Sequence, residues 1–285
     1  MPHLALDIGG THTRYQLGDG EKGKVPTDLE TLIPFITSLV KSYGLPEAIG
    51  ISIAGQTNQG HLIGAPNIPM GPFEDKNLAQ ALSEHFNIPV AIDNDLKCAV
   101  IAEATVHPGD SLAAIYVGTG LGSALIDGKR LIRGHRNLAG EVGHLPYRPA
   151  PFTCGCGGND CVELYASGSG ITRWCQHEGL RAQTLGELEV LSHAGNQKAK
   201  VILQQFQDAL FFALKSVQTL LNPEIIVLGG GVIANNSWLV TKMQEGINKR
   251  GFKPAGATTI KTTTFGDDAP LIGAMELARQ LTPKG

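Results

Sequence analysis

Two stretches of this chain repeat one design. Leu6-Asp7-Ile8-Gly9-Gly10-Thr11-His12-Thr13-Arg14 and Ile115-Tyr116-Val117-Gly118-Thr119-Gly120-Leu121-Gly122-Ser123 each read as an apolar strand, a Gly/Thr turn and a second strand. The first continues to Gly18-Asp19-Gly20 and the second to Asp127-Gly128-Lys129, turn signals that predict a third strand in each half. A chain built this way is expected to fold as two similar α/β halves. Its 285 residues and 42% hydrophobic content can furnish a core for each.

Between the two copies the pattern predicts a helix over residues 28–43, a strand over 48–53, a helix over 78–86, a strand over 90–93 and a helix starting at Asp95. In the second half a long helix is expected over 198–221, with Val201, Leu203, Ala209, Leu210, Leu214, Val217 and Leu220 at roughly helical spacing. Asn222-Pro223 stops it, and the strand Ile225-Ile226-Val227-Leu228 runs into Gly229-Gly230-Gly231. His107-Pro108-Gly109 marks the crossing between halves. The expected division is residues 1–108 for the first lobe and 109–267 for the second, with a last helix, 268–280, in a tail 268–285 that returns to the first.

Glycine at a strand end lets backbone N–H groups approach phosphate oxygens with no Cβ in the way, and a neighbouring threonine adds a hydroxyl donor. Gly9, Gly10 and Thr11 offer this, as do Gly118, Thr119, Gly120 and Gly122. Tight hairpins also need glycine for steric reasons alone, but two copies in matching places favour the phosphate reading. Neither turn has the Gly-Lys-Ser/Thr of a Walker A loop or opens a helix as a dinucleotide fingerprint must. Gly229, Gly230 and Gly231 would let adenine or ribose lie against backbone. Asp7 could hold Mg²⁺ through water, or merely cap its own turn.

His144, Cys154, Cys156 and Cys161 form a His-x9-Cys-x-Cys-x4-Cys array in a Gly/Pro-rich segment. Four such donors suffice for a closed tetrahedral Zn²⁺ site, which favours a structural metal over a redox cluster. Cys98 and Cys175 have no such companions and read as ordinary buried thiols. A net charge of −3 argues against a nucleic-acid partner. The absence of a signal-like start or an apolar run near 18 residues argues against membrane insertion and for a cytoplasmic protein.

The cysteine segment, with Leu138-Ala139-Gly140-Glu141-Val142-Gly143-His144 before it and Val162-Glu163 after, resembles the ROK family (repressors, open reading frames, kinases). The resemblance extends from Asp7-Ile8-Gly9-Gly10-Thr11 through Asn94-Asp95 to Gly229-Gly230-Gly231. It implies an α/β, actin-like ATPase (ribonuclease-H-like) fold of two lobes around a cleft, homodimerisation, and transfer of the γ-phosphoryl of MgATP to the 6-hydroxyl of a hexose. The catalytic base would be Asp95, with Asn67, Asn94, Asp95, Glu141, His144 and Glu163 on the sugar. ATP would meet Asp7, the three glycine-rich turns and His12. Arg133-Gly134-His135, Ser167-Gly168 and Arg173-Trp174 resemble the family's allose kinases; the expected sugar is a hexose of allose, glucose or fructose type, the alternative being an N-acetylhexosamine.

Simpler roles exist for several of these residues. Asn94-Asp95 after a strand makes a good helix N-cap, Glu163 could begin a helix, and Asn67 lies between prolines as a turn residue would. The chain also departs from the common family pattern at His12, Ala54-Gly55 and Leu96-Lys97. Only six residues precede Asp7, which leaves no helix-turn-helix there for the family's regulator branch. An actin-like ATPase without a sugar would have no need of the cysteine segment.

Overall fold

The computed structural model describes residues 2–65, 68, 69, 71–74 and 76–282. The chain separates into two compact units. One comprises Met1–Val106, Arg133–Leu138 and Asp267–Gly285, the other His107–Ile132 and Ala139–Gly266.

The first unit opens with β1 (Leu4–Ile8), β2 (His12–Leu17) and β3 (Lys22–Pro26), an antiparallel meander through the Gly/Thr turn. After α1 (Leu32–Tyr43) come β4 (Ile49–Ile53), the hairpin β5 (Gln56–Asn58) and β6 (His61–Gly64), α2 (Leu78–Phe86), β7 (Val90–Asn94) and α3 (Asp95–Ala104). The sheet order is β3-β2-β1-β4-β7, with β1, β4 and β7 parallel. Helix α1 starts later than the sequence pattern predicts. Asp28 accepts the Glu30 N–H at 2.9 Å and bonds the Thr31 hydroxyl at 3.0 Å, a closed turn that delays the helix to Leu32.

The second unit repeats the plan. β8 (Leu112–Val117), β9 (Leu121–Asp127) and β10 (Arg130–Leu131) form the meander; α4 (Gly168–His177), α5 (Leu185–His193) and α6 (Gln197–Leu221) lead to β11 (Ile225–Gly229); α7 (Gly231–Ala234) and α8 (Trp238–Arg250) lead to β12 (Thr259–Thr262). The order β10-β9-β8-β11-β12, with its last three strands parallel, matches the first sheet strand for strand. Two units of this topology make the ribonuclease-H-like, actin-type fold. On α6 the buried stripe runs through Ile202, Phe206, Ala209, Leu210, Ala213, Leu214 and Val217. Val201 and Leu220, expected on it, are 54% and 79% exposed: Val201 stands about 100° round the helix from Ile202, and Leu220 lies in the last turn, at the exposed end of the stripe.

The final helix, α9 (Ala269–Leu281), belongs to the first unit and comes close to the backbone of its sheet and of α3 at two glycines. A Cβ on Gly273 would collide with the Cys98 carbonyl in α3, and one on Gly50 in β4 with the Ala274 carbonyl in α9. Backbone cannot retreat as a flexible side chain can. Gly273→Ala is therefore expected to cost at least about 2–3 kcal/mol and to lower Tm by roughly 5–10 °C; a melt within about 2 °C of wild type would show that the helices separate freely.

Candidate active site

Strand β7 ends in Asp93-Asn94 and α3 begins with Asp95, and the three side chains are used differently. Asn94 is the N-cap of α3: its Oδ1 accepts the Leu96 N–H at 3.0 Å, while its Nδ2 donates to the Gly55 carbonyl at 3.1 Å. Asp95 Oδ1 accepts the same Leu96 N–H at 2.9 Å. With Oδ1 on the Leu96 N–H, Oδ2 is the oxygen placed to accept a proton, and the Asn94 side chain also bears on the carboxylate. Burial pushes the Asp95 carboxyl up to about 6 against the hydrogen bond from Leu96, and the nearby charge of Asp7 adds to the rise.

Asp93 is buried and holds a loop. Its carboxylate accepts Asn137 Nδ2 at 2.8 Å and Arg133 at 2.6 Å, and Asn137 also reaches Thr57 Oγ1 at 3.2 Å. This clasp was not foreseen in the sequence, since only folding joins Asp93 to residues 133–138. Asn137 adopts φ = 60°, a left-handed conformation that asparagine tolerates better than most residues. The neighbouring Cys98 is a buried thiol whose ionisation burial opposes, and the carboxylates of Asp93, Asp95 and Asp7 oppose it further. It reads as packing, as expected.

In the first Gly/Thr turn, Gly9 N–H bonds the His12 carbonyl at 3.0 Å, and no described residue bonds the N–H of Gly10 or Thr11. Asp7, just before it, is committed to protein partners: Arg14 donates twice to Oδ2, at 2.7 and 3.0 Å, and Ser52 donates to Oδ1 at 2.8 Å. Arg14 also reaches Asp268 at 2.9 Å.

The second turn behaves alike. Gly118 N–H bonds the Gly120 carbonyl at 2.9 Å, and the N–H groups of Thr119 and Gly120 have no described partner. The Gly229-Gly230-Gly231 run divides differently. Side chains at Gly229 and Gly230 would strike the Tyr116 ring and the Val117 backbone, and Gly230 has φ = 86°, so both serve packing against β8. Only at Gly231 would a Cβ meet open space.

The four donors of the cysteine segment converge: the ligand atoms of His144, Cys154, Cys156 and Cys161 all lie within 4.8 Å of one another. His144 Nδ1 is 3.5 Å from Cys154 Sγ, and the sulfurs of Cys156 and Cys161 are 3.4 Å apart. Tetrahedral zinc with bonds of about 2.0–2.3 Å needs donors roughly 3.5–3.8 Å apart, so the set is compatible with that ion. The geometry also selects the nitrogen. Nδ1 turns to the sulfurs, which leaves Nε2 for another partner.

Glu141 and Glu163 flank the cluster. The Glu141 side chain lies partly exposed with no hydrogen bond to a described residue, whereas Glu163 accepts the Leu121 N–H at 2.9 Å and the Cys154 thiol at 3.5 Å. Glu163 begins no α-helix; it sits in a single 3-10 turn, Val162–Leu164, ahead of α4. Asn67 lies outside the described residues. Of the remaining sites, Asp7, the first turn, Asn94 and Asp95 belong to the first unit; the second turn, Glu141, His144, Glu163 and the cysteines belong to the second.

The family model of the ROK family matches residues 3–281. The chain belongs to the ROK family. It is 27% identical to an N-acetyl-D-glucosamine kinase of Salmonella paratyphi A, covering 95% of this chain and 97% of that one. The ROK hexokinase of Thermus thermophilus superposes with a TM-score of 0.83 at 28% identity over 98% of both chains. A ROK glucokinase of Streptomyces griseus, solved with glucose and AMPPNP, superposes with a TM-score of 0.75 at 25% identity over 98% of this chain and all of its own. Among ROK proteins this chain is thus a sugar kinase. Among its described residues no helix is long and apolar enough to cross a membrane.

Proposed function

We propose that this ROK kinase transfers the γ-phosphoryl of ATP to the 6-hydroxyl of a hexose, with Asp95 as the base. The observation that carries the reading is Asp95 itself: a carboxylate at the first residue of α3, just after β7, whose Oδ1 is taken by the Leu96 N–H and which is close enough to Asp7 beside the first Gly/Thr turn to feel its charge. Asp95 orients the sugar hydroxyl and takes its proton as the bond to phosphorus forms. Asn94, Glu141, Glu163, His144 through Nε2, and Asn67 hold the other hydroxyls. These are groups that accept or donate at fixed positions without asking for charge on the sugar. Gly9, Gly10, Thr11 and His12 in one turn, and Gly118, Thr119, Gly120 and Gly122 in the other, serve the phosphates, with Gly231 the most open of its triplet for the nucleoside.

Mg²⁺, arriving with ATP, supplies positive charge to the transferring group. Asp7 would meet it through water, because Arg14 and Ser52 already hold both carboxylate oxygens. Zinc is the ion assigned to the Cys3His cluster; with all four positions taken by protein its part is structural. We place the work in the cytoplasm, where ATP is available, and expect a homodimer.

A neutral hexose of the glucose, allose or fructose type is one reading; the Salmonella relative favours a second, an N-acetylhexosamine. Coupled ADP release with glucose, allose, fructose, N-acetylglucosamine and N-acetylmannosamine at equal concentration separates them. One sugar is expected to exceed its rivals in kcat/KM by about a hundredfold or more, since a site built around a hydroxyl strongly rejects an analogue that leaves it unpaired. ATP turnover that no sugar accelerates would overturn the proposal.

A further inference from the structure

The segment that leaves the last cysteine of the cluster runs directly into the second Gly/Thr turn. Two residues after Cys161, Glu163 takes the Leu121 N–H on Oε2 at 2.9 Å, and a Cβ on Gly120 would collide with that same oxygen. Ser167 then donates to the Glu163 carbonyl at 2.7 Å and accepts the Gly170 N–H at 3.0 Å, which stiffens residues 163–170 as a piece. From this piece Gly168 N–H bonds the Gly118 carbonyl at 2.8 Å, and Ser169 N–H the Thr119 carbonyl at 3.1 Å. Both carbonyls of the turn are therefore held from behind, and its far end rests on a carboxylate. What remains unbonded by described residues is the pair of N–H groups on Thr119 and Gly120, the donors a phosphate needs.

A carboxylate here is unexpected on charge alone. It carries the same sign as the phosphates that the turn is proposed to bind, so electrostatics would favour almost any other side chain. Its use must be as an acceptor with a reach that places an oxygen on Leu121 N–H while the backbone stays at the cysteine cluster. Glycine at 120 then has a steric reason: a Cβ there would displace the carboxylate oxygen from the Leu121 N–H.

We propose that Glu163 is a positioning residue for the nucleotide: by accepting the Leu121 N–H it fixes the Gly118–Gly120 turn, so the cysteine segment governs nucleotide affinity as well as sugar binding. The inference rests on the kinase reading and adds to Glu163 a task separable from any contact with the hexose.

The test is titration of the full-length, metal-replete protein with AMPPNP and Mg²⁺ in the absence of sugar, on wild type and three variants. Glu163→Gln keeps an acceptor oxygen at the right reach and is expected to retain nucleotide affinity within about threefold. Glu163→Asp keeps the charge but falls one methylene short, and with Glu163→Ala is expected to weaken affinity about tenfold or more, the effect of losing one charge-assisted hydrogen bond. Amide exchange at Leu121 should speed up in the Asp and Ala variants alone, a readout independent of activity and of gross folding. Wild-type affinity in Glu163→Ala, or a loss in the Gln variant equal to that in the Asp variant, would overturn the proposal. Failure of the kinase reading looks different: wild type itself would bind no AMPPNP.

Discussion

Asp95→Asn is expected to lower kcat by ~10²–10⁴ while leaving nucleotide affinity nearly unchanged. A sugar hydroxyl is a weak acid and a weak nucleophile, and asparagine keeps the shape of the carboxylate without its basicity. The amide oxygen can still take the Leu96 N–H that Asp95 takes now, so the start of α3 should survive. The pH behaviour separates a base from a cap. With its carboxyl pushed up to about 6, Asp95 must lose a proton to work, so kcat/KM of the wild type should be level above about 6 and fall roughly tenfold per pH unit below it.

Stability should move the other way. A carboxyl raised in the folded state contributes stability that is fully present below its unfolded value, near 3.8, and is lost as pH rises through about 6. At pH 7 the ionised Asp95 is therefore a net cost, and the asparagine variant should melt no lower than wild type, with a gain of on the order of 1–2 kcal/mol once partial solvent access is allowed for. Turnover above about a tenth of wild type, less than the smallest effect of a lost base, would reduce Asp95 to an acidic residue in the first turn of α3.

What the sequence disclosed and what it withheld follow from the range of the interactions. The meander of each half is local: strand, glycine turn and strand lie within a dozen or so residues, so two copies were enough to foresee two sheets of one topology. The cysteine array is local too, and its spacing revealed the donor set, though not that Nδ1 of His144 faces the sulfurs. Long-range contacts left no such trace. Arg14 faces Asp7 across the local β1–β2 pair, but nothing near Asp7 in sequence announces Ser52, and nothing near Asp93 announces that Arg133 and Asn137 would close on it.

Glycines were the most ambiguous letters. Gly229 and Gly230 looked like nucleotide contacts and prove to have packing reasons, while Gly50 and Gly273, which set how closely α9 approaches the first sheet and α3, carried no signal at all. The sequence reading assigned no element to the segments of α4, α5 and α8. Helix α8 buries only Leu239, Met243 and Ile247, one residue per turn, which is too thin a stripe to stand out from a polar background. Helix α4 opens with Gly168-Ser169-Gly170, which locally favours a loop. It forms a helix because Ser167 caps it and because a side chain at either glycine would strike backbone, Gly118 for the first and Leu164 for the second.

Removing the metal, or one of its ligands, should give the second large effect. Residues 146–161 build almost no core of their own: a short ladder ties Tyr147 to Asp160, Ala150 to Asn159 and Cys154 to Gly158, around the three glycines 155, 157 and 158. Glycine-rich backbone is costly to order, and its apolar support comes mainly from one side of the segment, where Tyr147 and Phe152 meet Tyr165, Phe212 and Trp174. Four donors crowded within 4.8 Å would hold such a loop only through a common ion. Cys161→Ala, or stripping with a strong chelator, is therefore expected to cost on the order of 3–5 kcal/mol, less than the ~10–16 a zinc-finger peptide draws from its ion because the second unit has its own core. That corresponds to a fall in Tm of about 10 °C. The apparent KM for the hexose should rise by ~10–100-fold, since His144 belongs to the cluster and Glu141 and Glu163 stand beside it. Elemental analysis of freshly purified wild type should find one zinc per chain. Absence of stoichiometric metal, or a Cys161→Ala variant that melts with wild type, would mean the four side chains meet without an ion and that the loop is ordered by its aromatic side alone.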